Sequence, residues 1–268
     1  MRTTEQDSRW SNLDSMSTAE ILHGINTEDR VVTEAVQQAI PQIELLVDGI
    51  VERMRRGGRV FYTGAGTSGR LGVVDASEIP PTYGVRDKFI GLIAGGDGAI
   101  RSAVEGAEDD AQKGWEDICA FAPTPDDTVV GIAASGTTPY VVGAVKAARE
   151  HGLLTGCITC NEGSPVAAAV QLPVVAVVGP EFVTGSTRMK AGTATKLILN
   201  MISTAAMIRL GHVKGSKMVD MELTNSKLVD RGARMIMDAT GITDYGQARE
   251  LLLKYGHVRA AVDAYLGK

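Results

Sequence analysis

The sequence predicts an α/β protein: a three-layer, doubly wound parallel sheet, with N-terminal helices before it and a small helical domain after it. Three observations carry that expectation. Short, near-continuous apolar runs recur along the chain, helical-period segments separate them, and Gly/Ser/Thr-rich turns follow several of the runs. Strands covered on both faces read as unbroken apolar runs, and parallel neighbours need a crossover, usually a helix.

The elements follow in order. Ser17-Thr18-Ala19-Glu20 has the capping-box pattern and opens a helix through Ile25. From Val31 to Arg56, Val32, Val36, Ile40, Ile43, Leu46, Val47, Ile50 and Met54 recur at helical spacing, and Gly57-Gly58 stops the helix. A first strand, Arg59–Thr63, runs into a glycine-rich turn. Phe89–Ala94 reads as the next strand, followed by Gly95-Gly96 and a helix from Ile100 to about Gln112. Thr128–Ala134 is a strand, Ser135–Pro139 a turn, and the following helix reaches Glu150. Leu153–Thr159 and Val174–Val178 read as strands, and Lys190–Leu210 as a long apolar-rich helix. From about Asn225 the pattern changes to three short amphipathic helices, broken near Gly241 and Gly256. The expected division is 1–50 as an N-terminal helical segment, 51–224 as the α/β domain and 225–268 as a small, UBA-like helical domain.

Composition narrows the function classes. Apolar residues make up 44% and charged residues 22%, as in ordinary globular proteins. A net charge of −5 with no basic stripe argues against a nucleic-acid partner. No window approaches the ~20 apolar residues of a membrane span, and the polar N-terminus has no signal-peptide core. A cytoplasmic location and no membrane partner are expected. Cys157 and Cys160 form a C-x-x-C, but on a strand, side chains three apart point to opposite faces. They read, with Cys119, as packed or idle thiols. His23, His151, His212 and His257 lack ligand spacing, so no metal and no cofactor are expected.

Three turns carry chemistry. In an open parallel sheet, ligands bind beyond the carboxyl ends of the strands, at helix N-termini. The string TGAGTSG at 63–69 offers Gly66 for close backbone approach and Thr67 and Ser68 as hydroxyl donors. A dinucleotide site would want an acidic residue at the end of the Phe89–Ala94 strand, and none is evident there. Ser135, Gly136, Thr137 and Thr138, ahead of Pro139, repeat the design one crossover later. A pair of such turns favours a phosphorylated metabolite, although helix capping also uses Ser and Thr. A third stretch brings Ser186, Thr187, Arg188 and Lys190 to the start of a helix, a set suited to anionic oxygens.

The strings GRVFYTGAGTSGRLGVVDASEIPPTYG (58–84), LIAGGDGAIRSAVEGAEDD (92–110), VVGIAASGTTPYV (129–141) and TGSTRMKAGTATKLILNMISTAAM (184–207) resemble the N-acetylmuramic acid 6-phosphate etherases. That family belongs to the sugar isomerase (SIS) phosphosugar-binding superfamily, and the resemblance runs from about Met16 to Met221. It implies a SIS-type fold, a sugar-phosphate substrate and a lyase that cleaves the ether to D-lactate at carbon 3. Elimination followed by water addition would give N-acetylglucosamine 6-phosphate, a step of cell-wall sugar recycling. It also implies a proton-donating glutamate at Glu78 and a second catalytic glutamate at Glu108. Glu105, three residues earlier on the same face of the expected helix, competes with Glu108. A donor carboxyl needs burial or a like-charged neighbour to stay protonated, and the cluster Glu105, Glu108, Asp109, Asp110 offers neighbours.

The chain departs from the resemblance at Thr137, where Arg is usual, at Ile79, where Cys is common, and in a C-terminal region that stops early. A hydroxyl does not replace a fixed, bidentate charge. Glu78 follows Ser68 by ten positions, about 15 Å of rise if helical throughout. Either the segment turns back, or a second subunit supplies one group, as the family's homodimeric habit implies. The other readings are an aldose–ketose phosphosugar isomerase and a non-catalytic phosphosugar sensor. Lactate release separates the first, and the glutamate pair the second.

Overall fold

A computed structural model describes residues 2–267. Its first compact unit comprises residues up to Ala76 together with Lys88–Ser203, and its second Ser77–Asp87 with residues from Thr204 onward. In the first unit, Ser17 Oγ accepts from the Glu20 N–H while the Glu20 carboxylate accepts from the Ser17 N–H, closing the expected capping box. The helix it opens, α1 (Thr18–Arg55), is 38 residues long. The expected interruption between Ile25 and Val31 does not occur. Within that stretch Glu28 is buried and bonded to Trp10 Nε1 and the Lys190 ammonium.

Five strands form one parallel sheet in the order β2-β1-β3-β4-β5: β1 (Val60–Gly64), β2 (Phe89–Ile93), β3 (Thr128–Ile132), β4 (Leu154–Thr159) and β5 (Leu172–Val175). β5 lies two residues earlier than its apolar run suggested, because its pairing with β4 runs from Gly156↔Leu172 to Thr159↔Val175. One face carries α6 (Pro139–Glu150), whose Tyr140, Val141, Ala144 and Val145 pack on Phe61, Val129 and Cys157. The other carries α1, which packs on β4 and β5. The approach is close: a Cβ at Gly156 would stand 2.6 Å from Leu46 Cδ1. These are the three layers that the apolar runs imply.

The sheet also fixes where a site can form. β1 pairs with β2 on one side and β3 on the other, in matched register, so Gly64 stands opposite Ile132. Chain order reverses between β1 and β3, and the two hydroxyl-bearing turns leave the sheet side by side at that switch point.

The expected helix from Ile100 to Gln112 is not formed. A four-residue α4 (Gly98–Arg101) ends at an extended Ser102, Gly106 is left-handed at φ 72°, and a 3₁₀ turn spans Ala107–Asp109. Only then does α5 (Lys113–Cys119) begin, with Asp110 Oδ1 accepting from the Gln112 and Lys113 N–H groups. Glu105 and Glu108 therefore do not share a helical face.

Cys157, on β4, and Cys160, just past its end, are buried and free, and burial pushes both thiols up to about 12. Cys119 is exposed. No helix of the described residues is long and apolar enough to cross a membrane.

The second unit contains α3 (Ile79–Tyr83) and a two-stranded hairpin, β6 (Val213–Lys214) and β7 (Lys217–Met218). Its three helices are α9 (Ser226–Thr240), α10 (Tyr245–Tyr255) and α11 (Val258–Leu266). Asn225 caps α9, Asp244 caps α10, and left-handed Gly241 and Gly256 end them where expected. Met221, Ala233, Ile236, Leu252 and Ala261 form its core. The segment Ser77–Asp87 belongs to this unit through the Arg86–Glu222 ion pair and the bond from Glu222 N–H to Pro81 O.

Candidate active site

The first turn is tight by construction. A Cβ at Gly64 would lie 2.7 Å from Gly69 N, and one at Gly69 2.8 Å from Gly64 O, so no larger residue fits either end. The turn delivers Gly66, Thr67 and Ser68 to the first turn of α2 (Gly66–Ser77), where backbone N–H groups lack helical partners. At the second turn, Gly136 is left-handed at φ 73°, and a Cβ there would meet Ser164 Cβ at 2.3 Å. Gly136 thus shapes the turn. Ser135 Oγ and Thr137 Oγ1 lie 3.2 Å apart, and Pro139 opens α6. Thr138 occupies the N-cap of α6 but makes no side-chain capping bond, so helix capping does not account for its hydroxyl.

These residues line one cleft of about 400 Å³: Gly66, Thr67 and Ser68 from the first turn, Ser135, Thr137 and Thr138 from the second, and Thr187 and Gly192 from the third stretch. Glu108 and Asp109 close another side on the 3₁₀ turn, and Arg2 and Glu5 add a wall from the N-terminal segment. A groove of about 260 Å³ adjoins it, where Glu105 and Glu108 stand near Gly66. Arg70 donates from Nε to Ile100 O at 2.8 Å and from Nη2 to Ala99 O at 2.9 Å, tying α4 to α2. A recess of about 430 Å³, lined in part by Arg2, Ser135, Thr137, Asn161, Glu162 and Ser164, adjoins the second turn.

The third stretch needs correction. Lys190 is 1% exposed and its ammonium is paired with Glu28, so it is not free to meet a ligand. The start of α8 (Lys190–Arg209) is occupied from within: Glu181 accepts from the Lys190 N–H at 2.8 Å and the Ala191 N–H at 3.0 Å. Burial pushes the Glu181 carboxyl up, against the two N–H donors that hold it down. An anion-binding helix start was expected there, and an internal carboxylate already fills it. Arg188 is exposed, and Ser186 engages the preceding turn through its backbone.

Glu108 is exposed at the cleft wall. Glu78 is also exposed and belongs to the second unit, where it precedes α3. The helix between Ser68 and Glu78 does not turn back: α2 continues to Ser77. Among the described residues, no three His, Cys, Asp or Glu side chains converge as a metal site.

Sequence reasoning missed the N-terminal wall and the Asn161–Ser164 turn. Thr4 is fully buried, and Asn161 Nδ2 donates both to Thr4 Oγ1 at 2.9 Å and to Ala134 O at 3.0 Å. Thr3 Oγ1 donates to Asn161 Oδ1 at 3.0 Å. No local pattern signals this, because the partners are more than 150 positions apart.

Comparison with known proteins adds three findings. Residues 42–149 match the family model of the glucokinase regulatory protein N-terminal SIS domain. The chain is 59% identical to an N-acetylmuramic acid 6-phosphate etherase of Bacteroides thetaiotaomicron, over 99% of this chain and 96% of that one. It is 60% identical to the same-named protein of Porphyromonas gingivalis (98% and 96%), and 54% identical to that of Cronobacter sakazakii (87% and 78%). Among solved structures it resembles phosphoheptose isomerases of Francisella tularensis and Neisseria gonorrhoeae. The first has a TM-score of 0.53 at 17% identity, covering 70% of this chain and 100% of that one. The second has a TM-score of 0.52 at 19%, covering 70% and 97%. These identities speak to the fold, which is that of the SIS phosphosugar enzymes.

Proposed function

The chain belongs to the N-acetylmuramic acid 6-phosphate etherase family, and we propose that the cleft between its two hydroxyl-bearing turns is where the lactyl ether is cleaved. The observation that carries this is the meeting of both turns with Glu108 in one cleft. Thr67, Ser68, Ser135, Thr137 and Thr138 supply neutral donors, and the first turns of α2 and α6 add N–H groups for the phosphate ester. In the open-chain form, the aldehyde acidifies the hydrogen on carbon 2. A carboxylate takes that proton, a double bond forms between carbons 2 and 3, and the carbon 3–oxygen bond breaks as a carboxyl acid gives its proton to the departing oxygen, releasing D-lactate. Water then adds across the double bond, giving N-acetylglucosamine 6-phosphate.

Glu108 takes one proton-transfer role at the cleft wall, and Glu78 the other on the resemblance of its DASEIPP motif. Both are exposed in the single chain, so the burial a proton donor requires has to come from substrate or a second subunit. The unbroken α2 supports the second source: a homodimer in which the partner contributes Glu78. With its free thiols, the enzyme suits the reducing cytoplasm.

Incubation with N-acetylmuramic acid 6-phosphate and an enzymatic assay for D-lactate tests the reading. Release is expected from the native chain, with a loss of ~10²–10⁴-fold in Glu108→Gln. Unchanged turnover in that variant sinks the role of Glu108. A ketose phosphate in place of lactate would point to the isomerase, and tight binding without turnover to a sensor. Mixing a Glu78→Gln chain with a Ser68/Ser135-defective chain restores activity if sites are shared, and fails to if each chain is self-sufficient.

A further inference from the structure

We propose that Arg2 is the cation that pairs with an anionic group of the substrate, at the junction of the cleft and the recess beneath Asn161–Ser164. The inference rests on reading the cleft as a phosphosugar site. Among the described residues, Arg2 is the one Lys or Arg lining either cavity, and it lines both. The remaining charges there are carboxylates: Glu5, Glu108 and Asp109 in the cleft, and Glu162 in the recess. A substrate carrying a phosphate and a lactyl carboxylate meets repulsion from all four, and hydroxyls alone do not offset like charge.

Arg2 sits on a built wall. The 3₁₀ turn that follows it, Thr3–Glu5, is held by the Thr3 and Thr4 bonds to Asn161, and Asn161 bonds in turn to Ala134 O beside the second turn. Farther along, Ser8 Oγ donates to Phe182 O at 2.7 Å, and Trp10 Nε1 to Glu28 at 3.0 Å. Among the described residues the Arg2 side chain makes no ion pair and so stays available.

A second observation points to a ligand. Ser164 is 5% exposed, its Oγ has no protein partner, and it lines the recess. Buried hydroxyls are normally satisfied, so an acceptor on the ligand completes it. Thr137 lines both cavities beside Arg2.

Phosphate and lactyl carboxylate are the two sources of such an anion. Calorimetry on the full chain separates them with three probes: N-acetylglucosamine 6-phosphate (phosphate alone), N-acetylmuramic acid (carboxylate alone) and N-acetylmuramic acid 6-phosphate on a Glu108→Gln background. Arg2→Ala is expected to weaken binding about 10- to 100-fold, the range of a charge-assisted bond. A loss with both phosphorylated probes assigns the phosphate, and a loss with both lactyl probes assigns the carboxylate. Arg2→Lys keeps most of the affinity, Thr137→Arg added to Arg2→Ala recovers it, and Ser164→Ala shows a smaller loss. Affinities within twofold of the native chain for all three probes in Arg2→Ala overturn the proposal, as does failure of the native chain to bind any. Arg2-dependent binding without lactate release leaves it standing while the catalytic reading fails. Lactate release with Arg2-independent affinity does the reverse.

Discussion

Lys190 tests the account of the third stretch most directly, because two readings assign its ammonium opposite effects. A phosphate-binding lysine, when truncated, weakens substrate binding and leaves stability nearly untouched. The structure instead buries Lys190 against Glu28, with Trp10 Nε1 donating to the other carboxylate oxygen at 3.0 Å. In Lys190→Met the Glu28 charge loses its ionic partner in the interior, and breaking a buried pair costs about 3–5 kcal/mol. Unfolding entropy near 2 cal/mol/K per residue gives the first unit, about 190 residues, roughly 0.4 kcal/mol/K. The melting temperature should fall by roughly 7–12 °C. Adding Glu28→Leu should restore much of it, since replacing both partners with apolar groups is often neutral. Differential scanning calorimetry of the single and double variants, with KM measured on each, closes the cycle. A melting temperature moved by under about 2 °C with KM raised tenfold would refute the argument and return Lys190 to the ligand.

Three further outcomes are expected. Gly136→Ala should lose substrate affinity and melt several degrees lower, because its Cβ lands 2.3 Å from Ser164 Cβ at a φ of 73°; native-like KM and melting would show that the turn is slack. Thr4→Val should raise KM without touching substrate, since it cuts the bond from Asn161 that holds the Arg2 wall; hydrogen exchange of residues 2–10 should rise with it, and unchanged kinetics would count against that wall. Burial raises the Asp127 carboxyl, but donors from Arg59 and Thr124 outweigh it and hold the group below its ordinary value. A depressed pKa adds stability above the unfolded value, near 4, that is lost as pH falls through the folded one. Asp127→Asn should therefore melt lower than the native chain at pH 7 and approach it near pH 3, whereas parallel pH curves would remove Asp127 from the account.

The fold was readable because its signals are local. Each strand of the five-stranded sheet lies in a largely apolar run, and the second unit's helices begin and end on capping and left-handed residues visible in a few positions of sequence, whereas the short β6–β7 hairpin, with a lysine in each strand, gave no such signal. The two hydroxyl-bearing turns were readable for the same reason, since each glycine and hydroxyl sits at its strand–helix junction. What failed was non-local. The polar stretch inside α1 holds a buried Glu28 whose partner is a lysine 162 positions away. The early end of α4 at Arg101 goes with Ser102 and Gly106 leaving helical geometry, against an apolar spacing that fits a longer helix. The N-terminal wall depends on a buried threonine and a distant asparagine, neither unusual in its own neighbourhood.

The electrostatics of the cleft explain why a phosphosugar site can tolerate acidic residues at its wall. A cation in direct ion-pair contact with a proton-transferring carboxylate would compete for its oxygens and blunt its use in proton transfer. Hydroxyls and backbone N–H groups bind oxyanions without adding such a charge. Lys190 and Lys196, though on the same helix, are drawn off by Glu28 and Asp75 respectively. The cleft is left with neutral donors on two rigid turns and one cation carried by a separate segment. On the proposed reading, affinity and proton transfer reside in different parts of the chain. Changing charge at position 2 should alter substrate binding while the pH dependence of kcat holds, and a shifted kcat profile in Arg2→Ala would show the two to be coupled after all.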